Sequence, residues 1–312
     1  MDRFSQLPFS RGEAHRIQLA RVQNQTPLPS PLRWDFNGSP FHDLEIELPM
    51  YDPRGYPSVI NTKEFKTWNK ATESIFGIPG NGPSLKSGGL YVPCQSWLEH
   101  KFLRFANMEP SIVEIRGQYP VWDRSTYARN KELNINMLGT AIKAIDFCVT
   151  VKPRTSGPLQ YVGVSCKYEN ELETSKVIRR HEDEDRLFDI PGSQHIIITE
   201  QSITQLQDEN NLMLHSYMQK TETIEPIYVA HARELARRLH DSTASGPLER
   251  VLGITCTKME LDRESTGYML FALAHYLGFL RWNHHHRLDP KLSMMLEPPA
   301  SSTYGSIRRK EK

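Results

Sequence analysis

Glu99, Asp146 and Lys167 are the residues whose types and positions point to chemistry. Glu99 lies in "SWLEHKF". On a helix it falls in an arc with Gln95, Phe102 and Leu103, while His100, Arg104 and Asn107 form the expected solvent face. A carboxylate in an apolar arc is costly to bury unless it is paired or bound to a cation. Asp146 sits within the apolar strand "AIKAIDFCVTV", where aspartate is a poor strand former. Strict alternation puts it on a face with Ala144 and Cys148, opposite Ile145, Phe147 and Val149. Lys167 closes "YVGVSCKY" and shares a face with Gly163 and Ser165. Each residue alone is more often structural or merely exposed than functional: Glu99 paired, Asp146 at a strand kink, Lys167 at the surface. Together, two carboxylates and a lysine at a sheet edge make a site for a hard divalent cation such as Mg2+, with Mn2+ as a substitute. Such an ion activates water and stabilises charge developing on a phosphate, and the lysine adds positive charge or positions the water.

The elements that must hold these residues follow from periodicity. "QSWLEHKFLRFAN" predicts a helix and "SIVEIRGQYPVW" a strand and turn. "TAIKAIDFCVTVKP" and "LQYVGVSCKY" predict two strands joined by the turn "RTSGP". "ENELETSKVIRRHEDEDRLF" predicts a charged helix, and "QHIIITE" a short buried strand. The order α-β-β-β-α-β predicts an α/β fold, a compact mixed sheet with flanking helices. The hairpin places Asp146 and Lys167 on adjacent strands.

Outside this block the chain changes character. Residues 1–88 read as an N-terminal extension, rich in proline and extended or disordered in part. Helical spacing occurs at Phe65, Trp68 and Ala71, and "PSLKSGG" at 83–89 reads as a linker or loop. From about 202 onward the chain reads as largely helical, with "PIYVAHARELARRLHDS" as one amphipathic helix. "YMLFALAHYLGFL" is another apolar run, too short to span a bilayer.

Composition narrows the class. Of 312 residues, 38% are hydrophobic and 24% charged, as expected of a globular protein. The formal charge of +1 gives no global attraction to nucleic acid, so any basic surface must be local. Cys94, Cys148, Cys166 and Cys256 form no CxxC pair, which argues against a zinc site and a disulfide framework. With no apolar signal-type segment near residue 1, the expected location is the cytoplasm, without membrane association.

Around these residues the chain resembles the TnsA endonucleases of cut-and-paste transposons, within the restriction-endonuclease-like PD-(D/E)xK nucleases. Glu on a first helix, Asp inside a strand and Lys ending the next strand is the general pattern. More specific are "WLEHKFLRFANMEPSIVEIRGQYPV", with its Ile-Arg, Gln and Tyr-Pro between Val113 and Pro120, then "IDFCVTV" and "VGVSCKY". "EDEDRLF" followed by "HIIITEQSI" and the later "GYMLFALAHYLGFLRWN" extend the match over about residues 90–290. The resemblance implies an endonuclease domain at 89–205 and a winged-helix-like, partner-binding domain at 206–312. It implies that Glu99, Asp146 and Lys167 are catalytic, and that Mg2+ is held by Glu99, Asp146 and the backbone carbonyl of Cys166. It implies nicking of the 5′ strand at transposon-end DNA, with a DDE-type transposase as partner and an AAA+ ATPase regulator bound through the C-terminal domain. One position departs from the family. Two residues before the lysine the usual acidic or amide ligand is replaced by Ser165. A stand-alone restriction or repair nuclease, and a non-catalytic DNA- or partner-binding homologue, are the alternatives.

Candidate DNA contacts are Arg179, Arg180 and Arg186 on the charged helix, together with His284 and His285 in "HHH". The acids Glu182, Asp183, Glu184 and Asp185 beside those arginines predict a solvated, self-paired face. An exposed turn accounts equally well for the histidines.

Overall fold

The computed structural model describes residues 67–68, 80–87, 91–135, 137–152, 160–188, 193–218 and 224–298. Most of the extension expected at 1–88, most of the helical spacing around Phe65 and Ala71, the "RTSGP" turn and the tail "SIRRKEK" lie outside them. Two compact units divide the chain, Met1–Leu212 and Met213–Lys312.

The first unit is α/β. Its mixed sheet has the order β3-β4-β5-β6, formed by Ile112–Val121, Lys143–Val151, Gln160–Cys166 and Ser193–Ile198. The first two pairings are antiparallel and the last is parallel. Helix α1 (Trp97–Met108) covers one face, packing Leu98, Phe102, Leu103, Phe105 and Ala106 with Phe147, Val149, Val162, Val164, Ile196 and Ile198. The other face gathers Tyr119, Val121, Ile145, Cys148 and Tyr161 under Phe188. Phe188 caps helix α3 (Ser175–Leu187). At Gly163 the close approach is required: a Cβ there would stand 2.9 Å from Ile145 Cδ1 and 3.1 Å from the Phe188 ring.

Ile145 and Phe147 therefore lie in different clusters. The alternation expected along β4 breaks at Asp146.

Three expectations about α1 and its surroundings change. Asn107 is buried, and its side chain bonds Ser84 Oγ (2.6 Å) and the Pro83 carbonyl (3.1 Å). Arg104 is paired with Asp208 at 2.6 Å. The expected solvent face is thus covered, by β1 (Gly80–Pro83) and by α4 (Gln205–Met218). Nor are residues 83–87 a linker. β1 pairs antiparallel with β2 (Tyr91–Cys94), and a 3₁₀ turn at Leu85–Ser87 buries Lys86. The Lys86 ammonium donates to the carbonyls of Ala106 (2.9 Å) and Glu109 (2.6 Å), at the negative end of the α1 dipole. Trp68 is in a bend, not a helix, and its N–H donates to the Gln118 carbonyl at 3.1 Å.

Helix α2 (Arg124–Glu132) was not expected. It has no buried residue and hence no apolar stripe to signal it.

The second unit is helical among its described residues. It contains α5 (Pro226–His240), α6 (Leu248–Thr257) and α7 (Tyr268–Tyr276), the last entered through a π-turn at Arg263–Gly267. Among its described residues, extended pairing consists of the single bridges Pro247↔Ser293 and Trp282↔Leu296. Among the described residues no helix is long and apolar enough to cross a membrane.

Lys86 offers a direct stability test. Lys86→Met keeps the aliphatic stem and removes the ammonium from two buried carbonyls. Urea denaturation should show a loss of about 2–3 kcal/mol, since bonds to a charged group are worth more than neutral ones.

Candidate functional site

The site begins where two strands part. β4 and β5 pair in register from Val151↔Gln160 to Phe147↔Val164, and there the ladder ends. The next amide on β5, Cys166 N–H, donates instead to the Asp146 carboxylate, at 2.6 Å. An aspartate inside an apolar strand is tolerated because its side chain takes over a backbone donor that the sheet leaves free. Immediately beyond, Lys167 Nζ donates to the Cys166 carbonyl at 2.8 Å and lies 3.3 Å from Asp146 Oδ2. Burial disfavours the Lys167 ammonium, but the Asp146 charge, with help from Glu184, turns the balance and raises its pKa.

Glu99 reaches this point from α1. Ser96 caps the helix and accepts from Glu99 N–H at 3.2 Å, while the Glu99 carboxylate accepts from Ser96 Oγ (3.0 Å) and Gln95 N–H (2.8 Å). This is close to a capping box, so Glu99 has a structural role as well. Gln118 Nε2 supplies a third donor, at 3.2 Å. Gln118 has φ of +50°, a left-handed conformation rare outside glycine. That backbone cost is concentrated at a residue aimed at Glu99. Gln118 belongs to the motif that carries the resemblance, but its spacing alone revealed no role.

Burial first, and then the neighbouring Asp146 charge, push the Glu99 pKa from an ordinary 4.5 to about 7. The bonds from Gln95 and Ser96 and the Lys167 charge oppose this without cancelling it. The Asp146 charge is thus felt at Glu99, while the Lys167 ammonium lies against Asp146 and the Cys166 carbonyl. Those oxygens, with Glu99, are the donor set expected for a hard cation.

Ser165 is not part of this set. Its hydroxyl lies on the α3 side, 2.8 Å from Glu184 Oε2 and 2.9 Å from His195 Nε2. Glu184 is fully buried, contrary to the solvated face expected for the acidic run. Helical spacing puts only part of that run on the surface. Asp183 pairs with Lys143 and Arg186, as a solvated face would, whereas Glu184 turns towards the sheet. Burial would raise the Glu184 pKa, but the bond from His181 and the charges of Arg180 and His195 hold it well below the usual range. Sequence reasoning passed over His181, Glu184 and His195, because each sits in a segment read for another feature.

The expected DNA-contact residues separate. Arg180 lies at the site: Nε donates to Glu184 Oε1 (2.6 Å) and Nη2 to the Ala144 carbonyl (3.2 Å). Arg179 is exposed on α3. Arg186 pairs with Asp183 at 3.3 Å and lies 3.7 Å from Asp123. In the second unit His284 and His285 occupy a turn, with His285 exposed. His284 packs edge-on against His275, and burial, Arg281 and His285 lower its pKa to about 4. At neutral pH it brings no charge to a phosphate.

No protein-family model matches this chain, and no curated protein matches it.

The crowded carboxylates predict a pH signature. With a folded-state pKa above its unfolded value, Glu99 favours the fold when protonated. Its penalty is absent below about pH 4.5 and grows as pH rises through about 7. Glu99→Gln should remove that slope and gain stability at pH 8 on the order of 3 kcal/mol. Urea midpoints of both proteins at pH 5 and pH 8, without divalent cations, measure the difference.

Proposed function

We propose that this protein is a Mg2+-dependent DNA endonuclease of the TnsA type, with a restriction-endonuclease-like first unit. It nicks the 5′ strand at transposon ends, acting with a DDE-type transposase. The observation that carries this reading is the junction where β4 and β5 part. There Asp146, the Cys166 carbonyl and Lys167 meet at one point, and the charge of Glu99 is felt.

The donor chemistry fits the ion. Asp146, Glu99 and the Cys166 carbonyl offer only oxygen, the preference of Mg2+, and the elevated Glu99 pKa marks a negative charge that a cation would relieve. A bound Mg2+ would supply a polarised water and neutralise charge on the phosphate. Lys167, held charged between Asp146 and Cys166, orients that water or meets the phosphate oxygens. Gln118 and Ser96 fix the Glu99 carboxylate, and the Cys166 N–H fixes Asp146. The second unit, taken as winged-helix-like, is assigned to partner binding, with an AAA+ ATPase as the regulator.

Testing requires the assembled machinery. Asp146→Ala and Lys167→Ala proteins, mixed with the transposase partner, donor DNA and Mg2+, should lose 5′-strand cleavage by at least about a hundredfold. Their circular dichroism should match the wild type, and 3′-strand cleavage by the partner should persist. Donor DNA excised with both strands cut by either variant would overturn the assignment.

A further inference from the structure

We propose that His181, Glu184 and His195 form a second cation site, nitrogen-rich and closed, for a transition-metal dication of the Zn2+ class. This inference does not depend on the nuclease reading.

Three elements converge to build it. α3 contributes His181 and Glu184, β6 contributes His195, and Ser165 of β5 lies between them. Their ligand atoms all lie within 4.8 Å of one another. Glu184 Oε2 is 3.1 Å from His181 Nδ1 and 3.7 Å from His195 Nε2. A tetrahedral Zn2+ with bonds near 2.1 Å separates its ligands by about 3.4 Å, so these spacings bracket the requirement. Ser165 Oγ, 2.8 and 2.9 Å from the same Glu184 and His195 atoms, is hydrogen-bonded to both.

The surrounding bonds aim these atoms inward. His195 Nδ1 is bonded to Asp185 Oδ1, which holds the ring with Nε2 facing Glu184 and Ser165. A carboxylate behind a histidine is the usual outer support of a zinc ligand. Arg180 Nε takes Glu184 Oε1, leaving Oε2 turned towards the imidazoles.

Two imidazoles and one carboxylate select a borderline metal over Mg2+. Ser165, Glu184, His181 and His195 are 0%, 0%, 2% and 6% exposed, so the site is closed and structural. The ion would tie α3 to β5 and β6. Arg180 on that helix holds the Ala144 carbonyl, two residues before Asp146, so the ion steadies the strand that carries the oxygen site.

The test is cobalt substitution in the full chain after removal of metals by chelator. Wild-type protein should bind about one Co2+, with the intense visible absorption of a tetrahedral site. Zn2+ should abolish the band, and a large excess of Mg2+ should leave it. His195→Gln and Glu184→Gln should lose the band while circular dichroism confirms folding. Asp146→Ala should keep it. That separates the two proposals, because this variant fails in cleavage but not in cobalt binding. Overturning results are a wild-type spectrum of six-coordinate aqueous Co2+, or a band that survives in both folded variants.

Discussion

The hydrogen bond from Cys166 N–H to the Asp146 carboxylate is the interaction around which the first unit is arranged. It replaces a sheet bond with a side-chain bond. β4 and β5 separate at that point, near the start of β4 and the end of β5, while β4 stays paired with β3. Without that substitution, the Cys166 amide would be buried and unpaired, or the ladder would continue and Asp146 would face a closed sheet. The break in alternation between Ile145 and Phe147 is the same event seen from the core. One residue packs under Phe188 and the other against α1.

Parting the strands creates two unlike environments within a few residues. On one side Asp146, the Cys166 carbonyl, Glu99 and Lys167 form an oxygen-rich, charge-crowded point. On the other, Ser165, His181, Glu184 and His195 form a buried, nitrogen-rich one. They communicate through charge: Glu184 helps keep Lys167 protonated, and Arg180 bridges Glu184 to the Ala144 carbonyl. Electrostatic changes on the α3 side therefore reach the residues proposed for chemistry.

The sequence made much of this legible where one residue type conflicts with its neighbours. Asp146 among apolar β-branched and aromatic residues, and Glu99 within an apolar helical arc, announced themselves. The order of elements along the chain and the pairing of β4 with β5 followed from short apolar runs of the right length. What stayed hidden had no such conflict. Glu184 is one acid in a run of four, and nothing local distinguishes the buried one from Asp183 on the surface. His195 opens an apolar strand, where a histidine is unremarkable. Gln118 depends on a backbone angle that no residue type reports. Lys86 sits among Gly, Pro and Ser, and its burial depends on the far end of α1. Contacts between segments distant in the chain decide each of these, so no local pattern encodes them.

Ser165 shows why the distinction matters. From sequence it reads as a missing ligand, because the resemblance to the TnsA endonucleases leads one to expect an acid or amide there. In the structure its side chain is committed to Glu184 and His195, on the far side of the strand from Asp146. A glutamate or glutamine at 165 would have to displace that buried network to reach the oxygen site. The two sites are thus coupled in composition. A short hydroxyl at 165 is what lets two histidines and a glutamate close behind the strand, and the oxygen site must then draw its side-chain charge from Asp146 and Glu99. The donors that fix Glu99, from Gln95, Ser96 and Gln118, carry correspondingly more of the burden of placing it.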